Sequence, residues 1–500
     1  MPQSAPMQHT FLWHDYETFG TNLRSDRPAQ FAAIRTDADL NEIGVPINIL
    51  CQPAPDYLPD AQSCLITGIT PQACHAQGLP EHQFAAQIHA AFSQPDTIGV
   101  GYNSIRFDDE FTRFLLWRNL FEPYGREWQN GCARWDLLDV VRLCHALRPD
   151  GINWPKNEAG HTSFRLEHLS AANGLAHEAA HDALSDVRAT IALARLVKNA
   201  QPKLWEFALQ LRSKQRVAEV LSWPTSPQLA QPFLHVSSMI PAEYGCIAVM
   251  LPLAQHPSNK NEVIAWDLRQ DPRQLASLNA EDIRLRLFSK TEALAELGQA
   301  RLPIKTIHLN KSPMVVAQLK TLSAAQAQTW QIDMAQSLQY AEHARALPDM
   351  SAIWQAVYTR PDSGDELPDV DGDLYGGFLS NGDRRKLDHL RSLQGDALHS
   401  ARTAFEDERL EELFFRYRAR NFLQGMAAAD QARWFAHCLA RLQAGQDGAR
   451  SVAALHAQIE QLQEENPSEA QQAILEDLYS YADELVYSLE SWQEQLQGLL

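Results

Sequence analysis

Residues 11–17 read FLWHDYE, a run in which alternate side chains fall on the same face of an extended strand. Phe11, Trp13, Asp15 and Glu17 share that face, so two carboxylates continue an apolar stripe with Cα atoms roughly 6–7 Å apart. Carboxylates so placed repel one another and lose hydration. A divalent cation removes both costs; the alternative is that this end of the strand reaches solvent and carries ordinary surface acids.

Two further acidic elements bear on that choice. Asp108, Asp109 and Glu110 follow the strand-like TIGVGYN and open a helical run. Acids in a first helical turn can serve only the helix dipole, yet open α/β sheets place their sites just beyond strand ends. In HDALSDVRATIALARL, Asp186 begins a stripe continued by Ala189, Thr190, Leu193 and Val197, which puts a carboxylate at the end of a core-facing row. His181 precedes that helix, and Asp182 is a candidate N-cap that would place His181 in the loop or first turn; the plain alternative is a structural histidine. Together Asp15, Glu17, Asp108 and Asp186 form an oxygen-only donor set suited to Mg²⁺ or Mn²⁺, with no Cys or His cluster competing for zinc. Such a set can hold two ions roughly 3.5–4 Å apart for an in-line phosphoryl displacement. A histidine whose pKa lies near neutrality can act as general base toward the attacking water.

The 500 residues exceed what one core serves, and the pattern divides them. The first part opens with an antiparallel meander (TFLWHDYE, QFAAIRT, INILCQP) and continues with helices, RWDLLDVVRLCHAL among them, an α/β layer arrangement. Residues 201–222 read as a basic connecting helix, and 232–315 as a small β-rich domain. The stretch 360–377, with Asp369, Asp371 and Asp373, fails the calcium-loop pattern at Leu374 and Ser380 and reads as a solvated linker. Beyond it the chain is helical in spacing; the Gln- and Glu-rich run 451–500 reads as an exposed helix. The expected domains are 1–200, 201–358 and 359–500. The seven scattered cysteines include no CxxC pair and read as reduced, packed thiols. With no signal-like N-terminus and no apolar run of spanning length, a cytoplasmic, soluble protein without a membrane partner is expected.

HDYETFGTN, GYNSIRFDDEF and HDALSDVRAT resemble the three motifs of the DEDDh 3′–5′ exonuclease superfamily. With RWDLLDV, ALRPDGINWP, SFRLEHLSAANG, HVSSM, HPSNKNEVI, HLNKSPMV and FFRYRARNF, the chain resembles the bacterial exonuclease I family over nearly its whole length. The resemblance implies an RNase H-like nuclease domain, an SH3-like domain and an all-α C-terminal domain. It implies processive 3′–5′ degradation of single-stranded DNA to 5′-mononucleotides in repair and recombination, with two Mg²⁺ ions or Mn²⁺ in their place. Asp15, Glu17, Asp108 and Asp186 would be the metal ligands, with His181 as base and Glu17 and Arg165 toward the substrate. It further implies a monomer that acts on a free 3′ end and associates with the C-terminal tail of single-stranded DNA-binding protein.

The net charge of −19 at first opposes a nucleic-acid partner. Its distribution does not: −8 over residues 1–200, +3 over 201–360 and −14 over 361–500. Arg113, Arg118, Tyr124, Arg126, Trp128, Arg134 and Arg142 interleave cations with aromatics, as single-strand binders do, although core rings and a solvated arginine face read equally well. The resemblance selects Arg113, Tyr124, Trp128 and Arg142. Arg212, Lys214 and Arg216 add a basic run, and Lys311 and Lys320 a further pair. A ribonuclease of the same superfamily and a non-catalytic single-strand-binding scaffold are the competing readings.

Overall fold

The computed structural model describes residues 9–176, 182–359 and 368–497. It divides into two compact units, one of residues 1–133, 178–188 and 366–500, the other of 134–177 and 189–365.

In the first unit β1 (Thr10–Thr18), β2 (Pro28–Thr36), β3 (Ile47–Leu50) and β4 (Thr97–Gly101) lie in the order β3-β2-β1-β4. The meander β1-β2-β3 is antiparallel and β1 runs parallel to β4. Alternation settles the two faces of β1. Leu12 and Tyr16 join Phe31, Ala33 and the Phe84, Ile88 and Phe92 side chains of the helix Glu81–Phe92 in one core, while Asp15 and Glu17 point the other way, opposite Ala32 and Gln30 of β2. The chain also forms two short helices between the meander and that helix, Ala61–Thr67 and Pro71–Gln77. Each is started by a side-chain cap, Asp60 accepting from Ser63 N and Thr70 from Ala73 N ahead of Pro71.

The C-terminal segment completes this unit. Trp434, Phe435, Leu455, Ile459, Leu475, Leu478 and Leu489 pack with Phe19, Tyr57, Cys64 and Cys74 in a second core, and Leu387, Leu410 and Leu413 pack with Phe114 and Trp117 in a third. The Gln- and Glu-rich run is therefore two helices, Val452–Glu464 and Glu469–Gln497, with a buried leucine face rather than one exposed rod. Asn466, in the left-handed region at φ 55°, and Pro467 separate them.

The linker reading of Asp369, Asp371 and Asp373 is overturned. Asp371 is 3% exposed and bonds Arg27 and Arg420; Asp369 takes two hydrogen bonds from Arg416, and Asp373 lies beside Arg409. An acidic run is solvated only until arginines elsewhere in the chain claim it, and those arginines lie at residues 27 and 409–420.

β5 (Ala133–Asp136) leads from the first unit into the second. RWDLLDV is thus not helical throughout: Asp136 accepts from Leu138 N at 3.0 Å, and the helix starts after it at Leu137–Leu147. The second unit holds β6 (Phe233–Val236), β7 (Ile247–Gln255), β8 (Glu262–Asp267), β9 (Ile304–His308) and β10 (Met314–Val316) in an antiparallel sheet of order β10-β6-β7-β8-β9. Pro252, which has no N–H for the ladder, sits where β7 shifts register against β8. The basic stretch 201–222 is two helices, Pro202–Gln210 and Lys214–Val220, because Ser213 caps the second through Arg216 N. All seven cysteines are buried free thiols. Among the described residues no helix is long and apolar enough to cross a membrane.

Candidate active site

Three elements of the first unit bring carboxylates together. β1 supplies Asp15 and Glu17 from the face it shares with buried Phe11 and Trp13. The helix Asp108–Arg118 supplies Asp108 from its first residue, just beyond the end of β4. Asp186 comes from the first turn of the helix Ala183–Ala200, whose start is fixed by Asp182 accepting from Ser185 N at 3.0 Å. Oxygen atoms of Asp15, Glu17 and Asp186 lie within 4.8 Å of one another. Asp108 joins them through its Oδ1, which accepts from Tyr16 N at 3.2 Å on the peptide between Asp15 and Glu17.

The electrostatics match this crowding. Burial raises the Asp15 carboxyl well above the ordinary carboxylate range, and Asp108, Glu17 and Asp186 raise it further. Glu17 is pushed up to about 8 by burial and then by Asp186, Asp108 and Asp182. The set fits a divalent cation on donor chemistry: oxygen ligands that converge, with Asp15 and Glu17 costly to ionise beside the others. A raised carboxyl costs nothing below its unfolded value and costs increasingly as pH climbs from about 4.5 toward 8, so the metal-free fold loses stability across that interval. Cation binding must displace those protons. Affinity for Mn²⁺ should rise between about pH 6 and pH 8, and the calorimetric heat should differ between buffers of unlike ionisation enthalpy. Buffer-independent heats and a flat affinity would contradict the assignment.

His181 lies outside the described residues. Two residues that sequence reasoning passed over support the site. Gln30, opposite Glu17 across β1 and β2, reaches the Asp182 carboxylate at 3.5 Å and ties the Asp186 helix to the sheet. Thr112 donates to the Asp108 carbonyl at 2.7 Å and lies 3.0 Å from the Tyr16 hydroxyl. The Thr112 signal was legible as a side chain one turn after Asp108; Gln30 required the strand register.

The expected substrate contacts separate into two kinds. Trp128 is 64% exposed and Tyr124 half-buried. Arg113, by contrast, is buried: its guanidinium grips Glu127 at 2.7 and 2.8 Å and Glu110 at 2.6 Å, above the Tyr124 ring. It is a cross-link between the Asp108 helix and the turn that follows, not an open phosphate ligand. Arg118, Arg126 and Arg134 are buried as well. In the second unit, the Arg165 side chain is 72% exposed beside Glu167, Lys214 is exposed next to Asn261, and Arg142 bonds Asp139 at 2.9 Å. Arg216 pairs with Glu219, and Arg212 donates to the Leu209 carbonyl.

Comparison with known proteins supplies a frame for this geometry. Family models match three stretches: an exonuclease domain at residues 12–194, the exonuclease I SH3-like domain at 212–360 and the exonuclease I C-terminal domain at 368–485. Exodeoxyribonuclease I of Escherichia coli is 44% identical over 438 residues, covering 87% of this chain and 90% of its own. The Haemophilus influenzae protein of that name is 41% identical, covering 95% and 99%. Among solved structures, exonuclease I of Methylocaldum szegediense superposes with TM-score 0.90 at 45% identity, over 96% of this chain and 100% of that one. E. coli exonuclease I in complex with a dA16 oligonucleotide gives 0.89 at 41% with the same coverage. An SSB/exonuclease I structure with the inhibitor CFAM gives 0.85 at 41%, again over 96% and 100%.

Proposed function

The chain belongs to the exonuclease I family, and from that premise we propose that it degrades single-stranded DNA from a free 3′ end, releasing 5′-mononucleotides. The observation that carries the reading is the convergence of Asp15, Glu17 and Asp186 with Asp108 beside them. Relatives bound to oligonucleotides support a single-strand substrate.

Asp15, Glu17, Asp108 and Asp186 would hold two divalent cations, Mg²⁺ or Mn²⁺. When bound, such ions supply Lewis acidity at the scissile phosphate and make a water nucleophilic at neutral pH. His181, one residue before the cap Asp182, would take the proton from the attacking water. Arg165, exposed on its helix N-terminus, would hold substrate near the scissile phosphate, with Glu17 also toward the substrate. Trp128 and Tyr124 offer ring faces to bases; Arg142 and Lys214 offer charge to the backbone. A monomer that meets the tail of single-stranded DNA-binding protein, and works in repair and recombination in the cytoplasm, completes the proposal; the complex containing both proteins supports the partner.

The test is hydrolysis of 3′-labelled single strands with Mg²⁺, run beside RNA and 5′-labelled controls. Mononucleotides released from DNA 3′ ends are expected; equal or faster release from RNA would make the protein a ribonuclease instead. His181→Ala should bind DNA normally and turn over on the order of 10² to 10⁴ times more slowly. Near-full turnover in that variant would remove His181 from the base role.

A further inference from the structure

Asp108 stands at the first position of its helix. The preceding Phe107 makes no side-chain cap and holds the uncommon backbone angles φ −127°, ψ −76°. Three consecutive acids, Asp108, Asp109 and Glu110, crowd this turn. The helix dipole favours acids at this position.

The next residue is fixed from behind. Arg126, in the turn Gly125–Glu127, donates through Nη2 to Asp109 Oδ1 at 2.7 Å and to the Asp109 carbonyl at 3.3 Å. Both side chains are 1% exposed. The guanidinium lies over the Phe92 ring, 4.6 Å from its centre, and Phe92 in turn rests against Gly99 of β4. A Cβ at Gly99 would come within 2.9 Å of that ring, so the strand gives up a side chain to let Phe92 and Arg126 stack there. On the other side of Asp109, Asp108 is held by the Thr112 hydroxyl and the Tyr16 amide. The ion pair thus clamps the peptide adjoining Asp108 against the sheet that carries Asp15 and Glu17.

We infer that Arg126, acting through Asp109, is a positioning residue for Asp108 and sets the cation affinity of the carboxylate site. A desolvated charge pair is a poor device for stability alone, because apolar residues of similar volume do as well. It does give direction, and partners behind ligating side chains usually matter by 10- to 100-fold in affinity or activity. The inference rests on the metal-dependent hydrolysis proposed above.

The experiment replaces the pair with apolar residues, Asp109→Leu with Arg126→Met, and reads Mn²⁺ affinity by calorimetry alongside kcat and KM on single-stranded DNA. Circular dichroism and thermal melting confirm the fold. Expected are a roughly 10- to 100-fold weaker Mn²⁺ affinity and a lower kcat at little-changed KM. If the pair variant does not fold, the isosteric Asp109→Asn is read the same way and should weaken Mn²⁺ in the same direction. A folded variant that binds Mn²⁺ within twofold of wild type overturns the inference. Wild-type protein that neither binds Mn²⁺ nor hydrolyses DNA would instead overturn the functional reading beneath it, and Asp15→Ala serves as the metal-deficient reference.

Discussion

Asp186→Ala protein should keep its fold and its hold on single strands while losing hydrolysis by on the order of 10³-fold or more, since cation stabilisation of a phosphoryl transition state is worth several kcal/mol. The same substitution should make the metal-free protein more stable, not less. Asp186 is the strongest charge raising Glu17, and it raises Asp15 as well. Removing it lets both relax toward ordinary carboxylate values and relieves repulsion that the wild type tolerates only for the sake of the cation. Thermal melts in chelator should therefore rank Asp186→Ala above wild type at pH 8, and Mg²⁺ should reverse the order. At about pH 5 the difference should shrink, because Glu17 is then protonated in the wild type. A variant that hydrolyses DNA at the wild-type rate would sink the active-site assignment; one that melts lower in chelator at pH 8 would sink the electrostatic account.

Arg420→Met should cost about 3–5 kcal/mol, the penalty for stripping one partner from a buried charge set. Arg420 bonds Asp56 at 2.6 Å and Asp371 at 3.0 Å, and all three side chains are at most 5% exposed. Burial alone would raise both aspartates. Arg420, with Arg27 and further arginines, outweighs it and holds both below the usual range. Groups depressed in this way contribute stability above about pH 4, their unfolded value, and lose it as pH falls through the lower folded value. The variant's deficit should be full at pH 7 and smaller near pH 3, where protonation spares it the unpaired charges. Denaturant unfolding at the two pH values measures it, and a loss under 1 kcal/mol at pH 7 would show that the cluster repairs itself without Arg420.

The converging carboxylates were legible for a physical reason. Strand alternation alone puts Asp15 and Glu17 together, and a helical stripe alone points Asp186 inward, so both follow from local periodicity. The meander was readable on the same footing, the family resemblance rested on motifs instead, and the domain matches support the fold it implies. What escaped depends on distant partners. Arg113 looks like a phosphate ligand in sequence and becomes a cross-link only because Glu127 lies across from it in space. Asp371 looks like a linker acid and is buried because Arg27 lies 344 residues away along the chain and 3.2 Å away in space. Ser213 and Asp136 were visible as capping residue types, but a continuous helical spacing masked the breaks they introduce.

The second core of the first unit has a consequence in time. Phe19, Tyr57 and Cys64 close on Trp434, Leu475 and Leu489, which emerge from the ribosome some 400 residues later. At about 5–20 residues per second that interval lasts roughly 20–80 s. Throughout it the sheet bearing Asp15 and Glu17 exists with one flank uncovered, and the whole second unit is synthesised in between. The nuclease half of the chain, first to be made, is last to be finished. A ribosome stalled anywhere before the final helix holds a nascent chain in which Phe19, Tyr57 and Cys64 still lack part of the wall they pack against.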